Sequence, residues 1–178
     1  MLRAVFVSTA LVLFTLSAQA SPEAEAVIAS AATQISGAEA GDQAITESVD
    51  IEAIARFTLG KYSRQISDAD KVRFTEAFED FLVGTFREQK NKLRNASVEV
   101  IGSIDRNDRD SVVETRVTQK GEEPQTVRWR VIQRDGAWRV VDVEVLGLWL
   151  AIEQRAQIAA ILDKPRATID DAIAALNS

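Results

Sequence analysis

The segment TVRWRVIQRDGAWRVVDVEVL, residues 126–146, decides the fold. In its first half Val127, Trp129 and Val131 alternate with Arg128 and Arg130. That is the two-residue period of a strand with one buried and one wet face. Asp135-Gly136 follows, a pair that accepts positive φ at both central positions of a type I′ turn, so the chain reverses within two residues. Apolar, β-branched residues then resume. The spacing predicts a hairpin of two strands, Thr126–Arg134 and Ala137–Leu146.

The same period extends upstream. Ser111–Gln119 places Val113, Thr115 and Val117 on one face, and Ser97–Ile104 reads as a strand before it. Asp105-Arg106-Asn107-Asp108 reads as the turn between these two, and Gly121 and Pro124 frame the next. Four strands joined by short turns make an antiparallel meander, one face of which must be covered. Helical segments on both sides supply the cover. Pro22–Ile35 is Ala-rich, with Pro22 suited to a helix start, and Gly37 and Gly41 interrupt it. A second helix, about Asp50–Tyr62, aligns Ile51, Ile54, Ala55, Leu59 and Tyr62. The strongest helical signal is Ser67–Lys90. Ser67 and Asp70 form a near capping box, after which Phe74, Phe78, Phe81, Leu82 and Phe86 repeat at three and four. Gly84 lies inside this helix, marking either close packing or a bend. Beyond the strands, Gly147 ends the sheet, Leu148–Leu162 returns to helical spacing, and Lys164-Pro165 breaks it. Thr168 caps a last helix through Leu176, with Asp171 three residues on. The fold class is therefore α+β: a curved four-stranded antiparallel sheet packed against helices from both ends of the chain.

The 178 residues, 46% hydrophobic and 27% charged, suit a single domain. The first twenty are set apart. Arg3, the apolar run Ala4–Leu16 and the small-x-small site Ala18-Gln19-Ala20 match a secretory signal peptide cleaved after Ala20. The run is short for a membrane span, and no Cys follows it to take a lipid. The expected product is a single domain over residues 21–178 in the periplasm. Its charge excludes some functions: 27 acidic against 21 basic residues, net −6, disfavour nucleic acid as a partner. The absence of Cys and His removes disulfides, thiol nucleophiles, Ser-His-Asp triads and His-ligated metals. No metal or cofactor is expected.

Carboxylates are the remaining candidates for chemistry. Glu99, Glu114, Asp142 and Glu144 lie on predicted strands, where a pair could do general acid–base work. The same strands carry Arg116, Arg128, Arg130 and Arg139, so cross-strand ion pairs are the favoured reading. Asp142 stands apart, flanked by Val140-Val141 and Val143. A carboxylate there needs hydrogen-bonded partners or a raised pKa, and a cap or ion pair is favoured over a catalytic base. Arg87, Lys90, Lys92 and Arg94 cluster near a helix C-terminus, either complementing its dipole or forming a rim for an anionic surface. The apolar residues Phe57, Tyr62, the Phe74–Phe86 stripe, Trp129, Trp138, Leu146, Leu148, Trp149 and Leu150 are expected to converge on one sheet–helix interface. Periodicity does not separate a filled core from a hollow one there.

Residues 136–147, GAWRVVDVEVLG, resemble the G-x-W-K-V-Y-D-V-x-V-x-G signature of the MlaC-type periplasmic phospholipid-binding proteins, the toluene-tolerance auxiliary family. Leu148, Leu150, Arg155, Gln157 and Ile158 are similar to the stretch that follows it there. Val49-Asp50-Ile51 and Leu59-Gly60-Lys61-Tyr62-Ser63-Arg64-Gln65 resemble the family's V-D-F and L-G-R-Y-W-R-Q, and the Phe74–Phe86 helix its F-x-x-x-F-x-x-x-L. The resemblance runs in order from about Val49 to Leu176. It implies a cystatin-like, nuclear-transport-factor-like roll that holds acyl tails between sheet and helices without catalysis. It also implies a carrier moving phospholipid between an inner-membrane ABC transporter complex and an outer-membrane lipoprotein complex; a carrier with one buried pocket has no need of a dimer, so a monomer is expected. On that reading, facing stripes nominate Tyr62, Phe78, Leu82, Phe86, Trp129, Val131 and Leu146 as the tail pocket. Two other readings remain open: an enzyme of the same roll using Asp142 or Glu144 with Tyr62, and a filled-core interaction protein of the envelope.

Overall fold

The Thr126–Leu146 hairpin forms as its alternation dictates. In the computed structural model, which describes residues 21–36 and 42–177, β3 (Gln125–Arg134) pairs antiparallel with β4 (Ala137–Val145) through Asp135 and Gly136, both at positive φ. β2 (Asp110–Thr118) flanks β3 and β1 (Ser97–Asn107) flanks β2, giving the expected meander. Two features depart from expectation. β1 continues through Asp105–Asn107, so the turn shrinks to Asp108-Arg109. The sheet also does not end at Gly147. Leu146-Gly147, with φ of 53° and 83°, makes a second tight reversal, and β5 (Leu148–Trp149) pairs with β4 as a fifth strand. Register shifts between Val100 and Gly102 and between Val140 and Asp142 mark β-bulges, which bend the sheet.

Register sorts the side chains. Ser111, Val113 and Thr115 of β2 oppose Val131, Trp129 and Val127 of β3 on one face. Glu114 opposes Arg128, and Arg128 opposes Glu144, on the other. The charged face carries the expected ladder: Arg116–Glu99 at 3.2 Å, and Arg128 bridging Glu114 and Glu144 at 3.0 Å each. The apolar face is roofed by α1 (Pro22–Ser36), whose Ala24 and Ile28 are buried against Val113, Val131 and Val140, with Trp129 and Trp138 alongside.

The remaining helices build a second core. α3 (Ile51–Leu59), α4 (Asp68–Arg94), α5 (Leu150–Leu162) and α6 (Ile169–Leu176) bury Ile54, Leu59, Phe74, Phe78, Ile158 and Leu176 together. The Phe74 and Phe78 rings stack at 6.1 Å, and Phe81 lies 5.9 Å from Phe78. Val140 packs under α1 while its neighbour Val141 packs into the helix core, as successive residues of a strand do. β4 is thus covered on both faces. The single interface expected from the sequence is two cores: Trp129 and Trp138 lie in one, and Phe74, Phe78 and Phe81 of α4 in the other. The capping boxes form as read. Asp70 N–H donates to Ser67 Oγ at 3.1 Å, and Thr168 N–H donates to Asp171 at 2.7 Å. Gly84 has open space where a Cβ would stand, so it serves no close approach. A short helix absent from the sequence reading, α2 (Asp42–Ser48), leads into α3, and Gly60–Arg64 form a 3-10 turn after it. Among the described residues no helix is long and apolar enough to cross a membrane. The predicted leader, residues 1–20, and the side chains of Lys90, Lys92 and Arg94 lie outside what is described.

Candidate functional site

The apolar sheet face under α1 is assembled from the alternation in β2, β3 and β4. Two of its polar groups are satisfied by neighbours on the sheet. Trp129 Nε1–H donates to Thr115 Oγ1 at 2.9 Å, and Thr115 Oγ1–H donates to the Val127 carbonyl at 3.1 Å. The indole therefore presents hydrocarbon while its one donor is satisfied. The far end of the same face is polar. Ser103 Oγ–H donates to Glu25 of α1 at 2.8 Å. Ser111 Oγ and Asp105 Oδ1, on cross-strand partners, are buried without a hydrogen-bond partner.

The seven nominated pocket residues do not form one set. Trp129 and Val131 lie on the sheet face beneath α1. Phe78 is fully buried in the helix core and Leu82 is half-buried against it. Phe86 is buried further along α4. Tyr62 is on the 3-10 turn at the surface, where its hydroxyl donates to Asp163, and Lys61 pairs with the same carboxylate at 2.7 Å. Those two donors hold the Asp163 carboxyl below its ordinary value, while that carboxylate and burial raise the Tyr62 phenol. Leu146 is 78% exposed, because its positive φ turns it out of the strand alternation.

Asp142 occupies the position its sequence environment demands. Its Oδ1 accepts from Val143 N–H at 2.8 Å and from Ala151 N–H, in the first turn of α5, at 2.9 Å. Burial lifts its pKa above the usual carboxylate value, against the opposing effects of those two donors and of Arg130. It ties β4 to α5 and so places the residues that follow Gly147. Asp50 does the same for α3. Its Oδ1 accepts from Ala53 N–H at 3.0 Å, its Oδ2 pairs with Arg134 at 3.0 Å, and its own N–H donates to Val140 O at 2.9 Å. The capping half of this role is legible in Asp50-Ile51, whereas the long-range ion pair is not.

Between α3 and β3–β4 lies an open pocket of about 280 Å³, missed by the sequence reading. Arg56, Arg130 and Arg134 line it over an apolar floor of Phe57, Ile132 and Val141, with Asp142 at one side. Arg130 is held by Asp110 through Nε at 3.1 Å and Nη2 at 2.8 Å. Asp110 and Asp50, both buried, anchor these guanidiniums from behind. Beside the pocket, Arg155 of α5 lies 5.0 Å over the Phe57 ring. It fits there because Gly60 has no Cβ, which would meet Arg155 Nε at 2.9 Å.

Residues 24–178 match the family model described as MlaC protein. No curated protein matches the chain. Among solved structures, it is similar to the phospholipid-binding protein from Ralstonia solanacearum, determined in complex with a phospholipid. The TM-score is 0.77 at 22% identity, covering 87% of this chain and 95% of that one. The shared architecture is the α+β roll.

Proposed function

The chain belongs to the MlaC protein family, and from that premise we propose that it is a periplasmic carrier that binds phospholipid by its acyl tails. The observation that carries this reading is the family match over nearly the whole of the chain after its leader-like start. Three further features support it. A relative of the same fold holds a phospholipid. The valine- and tryptophan-rich sheet face under α1 presents hydrocarbon, with the Trp129 and Thr115 donors satisfied by partners on the sheet. The groups nominated for catalysis are committed elsewhere: the Glu144 carboxylate to Arg128, the Asp142 carboxylate to two backbone N–H groups, and the Tyr62 hydroxyl to Asp163. That pattern favours binding over turnover.

The energetics suit the role. Burying one methylene is worth about 0.8 kcal/mol, so a tail of about fifteen gains roughly 12 kcal/mol before ordering costs. Retention needs no covalent or charged anchor. The carrier moves its lipid between an inner-membrane ABC transporter complex and an outer-membrane lipoprotein complex, as the family assignment suggests. The test is transfer of a labelled phospholipid from donor to acceptor vesicles, with Trp129→Asp as the variant. Trp129 is only half-buried, so the variant should fold, judged by its circular dichroism, and lose transfer. A folded Trp129→Asp that transfers lipid at the wild-type rate would overturn the sheet face under α1 as the tail site, and wild-type protein that transfers none would overturn the carrier reading.

A further inference from the structure

A lipid carrier has to meet the surfaces it loads from and unloads to, and the chain carries an unexplained apolar outcrop. Leu146, Leu148, Leu150 and Ile152 are each half or more exposed, in one run across the β4–β5 turn into the first turn of α5. Scattered exposed aliphatics need no explanation, but four within the seven residues 146–152 do. Leu146 sharpens the case. It occupies the first central position of a tight reversal at φ 53°, where Asn or Asp would sit with less strain, as Asp135 does in the preceding turn. An exposed leucine held in a left-handed conformation gains nothing from burial within the fold, so its hydrocarbon is available to something outside.

What lies next to it indicates the occupant. Ile152 and Arg155 are three residues apart on α5 and share a face. Arg155 lies over Phe57, itself partly exposed, and Phe57 lines the pocket that also holds Arg56, Arg130 and Arg134. Asp50 and Asp110 hold two of those guanidiniums from the buried side, and each guanidinium carries five N–H donors, more than its partner carboxylate occupies. Glu52 meets Arg56 only at 3.6 Å, and Asp142 is engaged by backbone N–H groups. An aliphatic wedge bordered by arginines matches the bilayer boundary, where hydrocarbon underlies a layer of phosphates. Half-buried Trp149, within the wedge, is a residue type favoured at that level. Resting on the carrier reading, we propose that Leu146–Ile152 and the adjoining arginine pocket form a bilayer-contact face: the aliphatic side chains enter the acyl boundary while Arg56, Arg130 and Arg134 meet lipid phosphates.

The experiment is co-sedimentation of the protein with phosphatidylcholine vesicles, with and without phosphatidylglycerol. The wild type should sediment with both. Leu146→Asn should weaken partitioning about tenfold, the effect of losing one leucine's hydrocarbon, without harming the fold, because Asn suits the turn. Arg56→Gln should cost about fivefold, mainly on vesicles with phosphatidylglycerol. Wild-type protein that stays in the supernatant, or a Leu146→Asn variant that sediments like the wild type, overturns the proposal. So does a Leu146→Asn variant that loses only capture of a protein partner. Co-purified lipid is quantified in parallel. Lipid retained by a protein that ignores vesicles refutes this face alone, whereas protein that never holds lipid refutes the carrier reading.

Discussion

Replacing Asp142 by Ala removes the acceptor that joins β4 to α5. Its Oδ1 takes two N–H groups, Val143 at 2.8 Å and Ala151 at 2.9 Å, and Ala151 is buried, so its N–H finds no water in exchange. A hydrogen bond to a charged group contributes about 1.5–3 kcal/mol, and a buried donor left alone costs about 1–3 kcal/mol. Against this stands the burial penalty already visible in the raised pKa of Asp142. The net expectation for Asp142→Ala is a loss of about 2–4 kcal/mol, or about 5–15 °C in Tm. Asp142→Asn keeps an oxygen in place without the buried charge and should fall within about 1 kcal/mol of wild type. The pH dependence has a definite sign. Because the folded pKa is raised, the native state takes up the proton first as pH falls. The burial cost present at neutral pH is then relieved as pH drops through the folded value, and the wild type gains on the Asn variant over that window. Urea titrations of the three proteins from neutral pH down to about 4 measure all of this. Asp142→Asn as unstable as Asp142→Ala would refute the oxygen-acceptor reasoning. Two variants both indistinguishable from wild type would refute the clamp itself.

Gly84→Ala tests the open space on α4. A Cβ there meets nothing within 4 Å, so the variant should gain about 0.5–1 kcal/mol, seen as a higher urea midpoint at unchanged m. A lower midpoint would mean that α4 needs that opening. The protein's single tyrosine permits a direct check of the surface cluster at Asp163. Alkaline absorbance titration should place the Tyr62 phenol above its ordinary value of about 10 and return it toward that value in Asp163→Asn. An identical titration in both proteins would dissolve the cluster.

The meander and the α4 helix were legible because their signals are local. Alternation marks Val127, Trp129 and Val131 as one face, Asp135-Gly136 names its turn, and Ser67 with Asp70 marks a helix start. What escaped depends on distant partners. Nothing in the Ala-rich Pro22–Ser36 segment says that Ala24 and Ile28 land on the sheet, so one apolar inventory was read where two cores exist. α2, seven residues long, is too short to show a helical period. β5 is only two residues and follows from the reversal at Leu146-Gly147 and the Asp142–Ala151 bond. Leu146 carries the same lesson. Alternation alone aligns it with the strand it follows, and a single positive φ sends it outward. Alternation was enough to place Trp129 and Val131 on one sheet face, whereas the arginine pocket required the β3–α3 approach that Asp50 and Arg134 create. Asp142 was legible as a residue in need of partners, but the identity of those partners was not.

The most direct test of the carrier reading is native mass spectrometry of the protein exported and purified without detergent, followed by extraction and lipid analysis. The account predicts a non-covalent adduct of phospholipid mass that is released on unfolding and recovered as lipid in the extract. A bare polypeptide mass with an empty extract, from protein that melts cooperatively, would contradict it.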